Sequence, residues 1–195
     1  MKKFLLVILT LFLYTGVSQA QNSNRDDSAQ IPKESRKSQR EARKAAENAY
    51  NEMLYQQALQ AVKDNDFVLE AKRVEFRRGY YKEVTPMTNF ISVKGNSATI
   101  QLALSNVFSG VNGLGGITVD GKISNVKMGT DKKGDLHCSM TVQGAAVSAS
   151  ISFTLVKGSN KCSVTVNPVF NGNRITFIGD LYPTPESNIY KGRAL

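Results

Sequence analysis

The fold is decided by residues 136–166, which read LHCSMTVQGAAVSASISFTLVKGSNKCSVTV. Three runs in this stretch alternate apolar and polar residues, and two short polar segments, 143–145 and 157–160, separate them. Because successive side chains of a strand point to opposite faces, each run predicts a β-strand with one buried face. Connections this short join antiparallel neighbours and leave no room for a crossover helix. The stretch therefore predicts three strands of an antiparallel meander.

The same alternation continues on both sides of this stretch, in sets near 67–76, 98–104, 117–123 and 175–181. The first set changes phase near Lys72, which predicts a β-bulge there. We predict a mostly β domain over residues 64–195, an antiparallel meander of about seven to nine strands that forms a barrel or a sandwich. Four inward phenylalanines favour a filled core, whereas Ala71, Ala98 and Ala149 leave room for a small ligand.

One amphipathic helix is predicted before this domain, over residues 34–63. The segment has no Gly or Pro, and apolar residues such as Ala42, Ala46, Leu54 and Ala58 recur at helical spacing. Basic residues surround the first half, so we expect that half to be solvated and the half from Tyr50 onward to dock on the β domain. A membrane-surface role for the basic half is an alternative, but its apolar face carries only alanine, where such helices use larger side chains.

The first twenty residues predict export. Lys2 and Lys3 precede the apolar run 4–14, and Ser18-Gln19-Ala20 places small residues where a signal peptidase cuts. The run is shorter than the roughly 20 apolar residues that span a bilayer. We expect a signal peptide cleaved after Ala20, a disordered leader over 21–33, and a periplasmic or secreted protein without a stable membrane span.

A central stretch resembles a nucleotide-binding loop but is better interpreted as a strand. Gly116–Ile123 reads GITVDGKI. A phosphate-binding loop needs Ser or Thr after the lysine and a helix behind it. Ile123 stands there instead, and the strand-like alternation continues.

Two segments are candidate ligand-binding sites. The first is the glycine-rich loop before this strand, which we predict to lie at a barrel mouth because binding residues favour loops; its candidate residues are Asn112, Gly113, Gly115 and Gly116. The second is the segment with Arg77, Tyr80 and Tyr81, where cations beside tyrosines can stack on sugars or anionic headgroups. The alternative for the second segment is that the rings only cover the end of a strand.

The two cysteines predict free thiols. Exported proteins usually pair their thiols, but Cys138 and Cys162 fall on the first and third strands of the meander. Two strand spacings separate them by roughly 10 Å, beyond the about 7 Å between α-carbons that a disulfide tolerates. We therefore expect no disulfide and two buried packing residues.

No pattern in the chain indicates an enzyme, a metal site or a cofactor. The single histidine, His137, alternates to the face opposite Cys138, and the carboxylates are scattered over strand ends and turns. The formal charge of +9 is spread along the chain rather than concentrated on one basic face, so nucleic acid is not an expected partner.

The order of these segments resembles one family. A signal peptide, a basic alanine-rich helix, Asp-Phe-Val-Leu-Glu-Ala, the Asn-Gly-Leu-Gly-Gly loop and a tail with Lys191-Gly192-Arg193 are similar to domain-of-unknown-function family 4251. The likeness covers about residues 40–195, and the cysteines are not part of it. It implies an exported protein of the Gram-negative envelope and no known activity.

Two functions from different classes are compatible with the sequence. The first is a non-enzymatic binding module whose barrel interior or glycine-rich mouth receives an apolar or glycan ligand. The second is a structural or interaction protein of the envelope that contacts a protein partner through its basic helix or a sheet edge.

Overall fold

The structure, a computed structural model, describes residues 33–104, 112–145, 148–169 and 173–195. The predicted signal peptide and nearly all of the predicted leader lie outside these residues. Residues 40–195 form one compact unit, and residues 33–39 belong to a separate N-terminal unit.

The described chain contains one α-helix and is otherwise mostly β. The helix α1 spans Lys33–Lys63, beginning one residue before the predicted start. The strands are β1 Asp66–Glu75, β2 Tyr81–Glu83, β3 Phe90–Lys94, β4 Ser97–Ala103, β5 Gly116–Thr130, β6 Leu136–Gly144, β7 Ser148–Leu155, β8 Lys161–Pro168 and β9 Ile175–Pro183. Single turns of 3₁₀-helix lie at Arg77–Gly79, Pro86–Thr88 and Thr184–Glu186.

The strands close into an antiparallel barrel. Each of β3 to β9 pairs with its neighbour in the chain, and β1 pairs with both β3 and β9, so eight strands form the ring and β2 adds to the edge of β1. The predicted mostly β meander is confirmed, and closure selects the barrel over the sandwich. The predicted bulge is confirmed too, since the β1–β9 register shifts between Ala71 and Arg73.

The interior is packed with the predicted inward side chains. Phe67 and Phe153 meet with ring centroids 5.5 Å apart, and Ala71, Ala98 and Ala149, which had left room for a ligand, are all buried. These residues belong to one continuous apolar cluster with side chains from all eight strands of the ring. An eight-stranded barrel has an interior just wide enough for its side chains to fill, and the burial of these inward residues agrees with that.

The last turns of α1 pack into the same cluster through Tyr55, Ala58, Ala61 and Val62. The Tyr55 hydroxyl donates a hydrogen bond to the carbonyl oxygen of Gly134, 3.2 Å away. Docking begins later than predicted, because Tyr50 is still 58% exposed. Among the described residues no helix is long and apolar enough to cross a membrane.

The cysteines are buried in the barrel as free thiols. Cys138 lies on β6 and Cys162 on β8, with β7 paired between them. Burial raises the pKa of the Cys138 thiol from 9.0 to about 11 and raises that of Cys162 further. Both groups are therefore neutral thiols at physiological pH.

We expect both thiols to resist a water-soluble thiol reagent in the native protein and to react after unfolding. Only the thiolate is nucleophilic, and burial suppresses both its formation and its access. In the unfolded protein the thiols lose their protons at a lower pH than in the native protein, so the free energy of unfolding should also fall as the pH rises from about 9 towards 11. Counting reactive thiols at neutral pH, with and without denaturant, checks the expected protection of the native thiols. A thiol that reacts rapidly in the native protein would contradict it.

Candidate functional site

The glycine-rich loop is held by the side chain of Asn112, which is buried. Its Oδ1 accepts hydrogen bonds from the backbone amides of Leu114, at 2.9 Å, and Gly116, at 3.1 Å. Its Nδ2 donates to the Leu102 carbonyl oxygen and to Thr118 Oγ1. All four hydrogen bonds of the amide are thus made within the protein, and the side chain has no free group for a ligand.

The backbone geometry of this loop favours glycine at three positions. Gly113 and Gly115 have φ of +75° and +81°, in the left-handed region that favours glycine. A Cβ on Gly116 would lie 1.8 Å from the Leu102 carbonyl oxygen of β4. The loop geometry therefore accounts for Asn112, Gly113, Gly115 and Gly116 through the turn and the close approach of β4 and β5.

The C-terminal tail, residues 187–195, crosses the outside of the barrel next to this loop. Ser187 Oγ donates to Glu70 Oε1 on β1, at 2.7 Å, and the Leu195 amide donates to the Thr118 carbonyl oxygen on β5, at 3.1 Å. Between them the Arg193 amide donates to the Asn112 carbonyl oxygen. The two sequence segments most specific to the family resemblance, the Asn-Gly loop and the Lys-Gly-Arg tail, therefore contact each other.

Gln101 is the centre of a buried polar layer under the tail. Its Nε2 donates to the carbonyl oxygens of Tyr190, at 2.8 Å, and Thr88, at 3.0 Å. Its Oε1 accepts from the Gly192 amide, at 2.8 Å, and from Thr118 Oγ1, at 2.9 Å. The side chain is fully buried although it points out of the barrel. It binds one carbonyl oxygen and one amide of the tail backbone, as a neighbouring strand would.

An ion pair adds to this attachment. Lys191 Nζ lies 2.6 Å from Asp120 Oδ2, and Thr99 Oγ1 donates to the other oxygen at 2.6 Å. Burial alone would raise the pKa of Asp120, but the hydrogen bonds from Lys191 and Thr99 hold it below its usual value. The loop, the tail and the layer between them form a structural clamp made of ordinary hydrogen bonds.

The second candidate segment forms the hairpin between β1 and β2. Tyr80 is 66% and Tyr81 54% exposed, while Arg77 lies in the 3₁₀ turn that connects the strands. The Arg73 guanidinium carbon lies 4.6 Å from the centroid of the Tyr81 ring, and Arg73 Nε donates to Glu83 Oε1 at 2.8 Å. The cation that stacks on tyrosine is thus Arg73 rather than Arg77, because β1 and β2 pair side by side.

A surface groove of about 410 Å³ adjoins this hairpin. We call it the cationic groove; it is lined by Lys72, Arg73, Glu83, Val156, Lys161, Cys162, Ser163, Ile178, Gly179 and Asp180. Lys72 donates to Asp180, which raises the pKa of the lysine. The groove therefore places charged groups beside the exposed ring of Tyr81.

His137 takes part in an arrangement that sequence reasoning missed. Its Nε2 lies 3.3 Å from Asp131 Oδ2 and its Nδ1 3.0 Å from Thr154 Oγ1. The hydrogen bond to His137 and three turn amides hold the pKa of Asp131 below its usual value. Carboxylate, imidazole and hydroxyl stand in the order that hydrolases use. His137 and Thr154 themselves lie in paired stretches of β6 and β7, with β5 and β8 paired on the two outer sides.

Other carboxylates at strand ends and turns have local partners. Glu70 accepts from the tail, Asp120 binds Lys191, and Asp135 accepts from the Lys157 amide at 2.9 Å. In the described ranges, no three His, Cys, Asp or Glu side chains come together in a group able to hold a metal ion. These carboxylates thus act in turns and in tail attachment.

Comparison with known proteins supports the resemblance seen in the sequence. The family model "Domain of unknown function (DUF4251)" matches residues 49–181. The chain is similar to a DUF4251 family protein from Bacteroides eggerthii DSM 20697, solved by crystallography at 1.95 Å, with 45% sequence identity and a TM-score of 0.64. That match covers 76% of this chain and 99% of the other.

No curated protein matches the chain. The family match extends from the second half of α1 into β9 and so includes eight strands and most of the ninth. Because the family match spans most of the sequence, the chain belongs to the DUF4251 family, whose function is unknown.

Proposed function

We propose that this protein is an exported, non-enzymatic binding module for a glycan, which it contacts on the outside of the barrel at the β1–β2 hairpin. The observation that carries this proposal is the pair of exposed tyrosines, Tyr80 and Tyr81, with Arg73 stacked on one ring. Tyrosine offers an apolar face and a polar hydroxyl. A sugar ring presents the complementary combination of CH faces and hydroxyl groups.

The packing of the barrel favours an outside site over an interior one. The small inward residues Ala71, Ala98 and Ala149 are buried against neighbouring side chains of one cluster. An apolar ligand would have to displace part of this core, whereas a glycan at the hairpin displaces only water. The glycan version of the binding hypothesis is therefore preferred to the apolar one.

Export is supported by the N-terminal sequence pattern, which carries two lysines, an apolar run and small residues before Gln21. A polysaccharide is an abundant ligand for an exported protein. The basic formal charge, +9 for the whole sequence and +7 without Lys2 and Lys3 of the signal peptide, also favours weak attraction to an anionic envelope.

The helix supports a second candidate function, an interaction role in the envelope. Residues 40–50 of α1 are exposed on every face, and the apolar side chain of Met53 is 48% exposed. A helix this exposed receives little support from packing. A protein partner that covers it would explain its length.

We expect the double variant Tyr80→Ala, Tyr81→Ala to bind the host's surface polysaccharide at least about tenfold more weakly than the unchanged protein, because aromatic anchors carry much of a binding energy. Affinity electrophoresis of protein purified from the host envelope, in gels containing that polysaccharide, measures the change. Tyr50→Ala is the matched control, since Tyr50 is 58% exposed but lies on the helix.

If the polysaccharide gel slows the double variant as much as it slows the unchanged protein, the hairpin is not the glycan site. If the unchanged protein migrates identically with and without every host polysaccharide tested, glycan binding is contradicted. If only Tyr50→Ala loses polysaccharide binding, the site lies on the helix.

A further inference from the structure

The cationic groove continues into a second groove on the outside of the barrel. This hydroxyl groove has a volume of about 440 Å³ and is lined by Lys127, Met128, Gly129, His137, Cys138, Ser139, Ser152, Phe153, Thr154, Ser163 and Thr165. Ser163 lines both grooves. The two grooves therefore meet end to end at one residue of β8.

Strand register places residues of both grooves in two rows that run across the strands, and beyond Thr165 the second row continues outside the grooves to the hairpin. In the first row His137 pairs with Thr154, Thr154 with Ser163, Ser163 with Ile178, and Ile178 with Arg73. In the second row the order is Lys127, Ser139, Ser152, Thr165, Thr176, Glu75 and Tyr81. The second row ends on the ring that the proposed function assigns to sugar binding.

The path has the length of a polymer rather than of a single sugar. The second row takes one residue from each of seven strands, from β5 to β2, and neighbouring strands lie about 4.8 Å apart. The surface path from Lys127 to Tyr81 is therefore roughly 29 Å long. Hydroxyl groups occupy the middle of it, on β6 to β9, and suit the hydroxyls of a glycan chain.

The charge of the two grooves favours an anionic chain. Their two carboxylates, Asp180 and Glu83, are paired with Lys72 and Arg73. Glu75, which lies beside Tyr81 in the second row, lines neither groove. Within the part of the chain that the structure describes, the ammonium groups of Lys127 and Lys161 have no carboxylate partner. Lys161 lies in the cationic groove and Lys127 in the hydroxyl groove. Each groove thus has one cation left for a ligand.

We propose that the two grooves form one extended site for a linear anionic polysaccharide, which runs across the strands from the β1–β2 hairpin to Lys127 on β5. This inference rests on the proposed function, because it extends the tyrosine site along the barrel. The chain would stack on Tyr81, pass the hydroxyls around Ser163 and meet Lys127 with one of its acidic groups.

The test compares short and long ligands on the full mature protein by isothermal titration calorimetry. The probes are a disaccharide and an octasaccharide of the same polyuronate, with a neutral glucan octasaccharide as a third ligand. We expect the anionic octasaccharide to bind at least about tenfold more tightly than the disaccharide, a difference of about 1.4 kcal/mol. Lys127→Glu should remove this gain while it leaves disaccharide binding unchanged.

Matched controls separate the groove from general charge. Lys94→Glu changes an exposed lysine on β3, outside both grooves, and should preserve the gain. Ser152→Leu should weaken octasaccharide binding, whereas Ser97→Leu, at an exposed serine of β4, should not.

Each remaining outcome overturns a distinct statement. Equal affinities for the short and long anionic ligands, both still sensitive to Tyr80→Ala and Tyr81→Ala, would overturn the extended site and leave the hairpin site standing. Equal binding of the neutral and anionic octasaccharides would overturn the charge preference. Binding of none of the three, together with no retention by host polysaccharide, would overturn the proposed function itself.

Discussion

Replacing Gln101 by alanine is expected to lower the free energy of unfolding by roughly 3 kcal/mol and to release the C-terminal tail. The substitution removes four hydrogen bonds, to Thr88, Thr118, Tyr190 and Gly192. A net hydrogen bond contributes about 1 kcal/mol, and a buried group left without a partner costs about 1–3 kcal/mol. Water that enters as the tail loosens can pair with the exposed groups and offsets part of this cost. We therefore expect the loss of unfolding free energy to lie near the lower end of the summed contributions.

Urea unfolding measures the loss of stability, and amide hydrogen exchange of residues 187–195 measures release of the tail. The control is Gln143→Ala, because Gln143 is an exposed glutamine on β6 and should change stability by less than about 0.5 kcal/mol. If Gln101→Ala unfolds at the same urea concentration as the unchanged protein and keeps its tail amides protected, the clamp assigned to Gln101 is wrong.

The second large effect is expected at Gly179, where β9 closes the barrel against β1. A Cβ at this position would lie 1.9 Å from the carbonyl oxygen of Glu70 and 2.8 Å from its carbon. The obstacle is backbone, so no side-chain rotation relieves it. In a closed barrel the two strands cannot separate without loss of ladder hydrogen bonds. We expect Gly179→Ala to cost about 3 kcal/mol or more.

Gly129→Ala is the matched control, since Gly129 also lies in a barrel strand and a Cβ there meets no atom within 4 Å. This control should be neutral or slightly stabilising, because alanine restricts the unfolded chain. Thermal unfolding followed by circular dichroism distinguishes the two variants. Similar melting temperatures for both would mean that the β1–β9 seam is looser than the structure describes.

Most of the barrel could be predicted from the sequence because side-chain direction in a strand is a local property. Alternation placed Phe67, Phe153 and Leu181 inside, and the change of phase located the bulge at Lys72. Docking of α1 was predicted too early because helical spacing identifies the apolar stripe but not the point at which the helix meets the barrel. That point depends on the end of the barrel, which no local pattern describes.

The polar features were predicted much less well. His137 was correctly expected on the outer face, yet its contacts with Asp131 and Thr154 depend on the β6–β7 register and on the turn before β6. In the sequence, Gln101 alternates with apolar residues as a solvent-facing strand residue does. A long polar side chain between apolar neighbours of β4 was the only signal, and it does not distinguish a surface residue from one covered by another segment.

The sequence by itself determined the mostly β class, the preceding helix, the inward faces of the strands and the family resemblance, because each depends on composition or on neighbours a few positions apart. Only the tertiary structure decided that the sheet closes, that the tail clamps the Asn112 loop, and that two grooves join at Ser163. These features unite residues such as Glu70 and Ser187, 117 positions apart. Contacts at that separation follow from strand register and ring closure, which alternation alone does not specify.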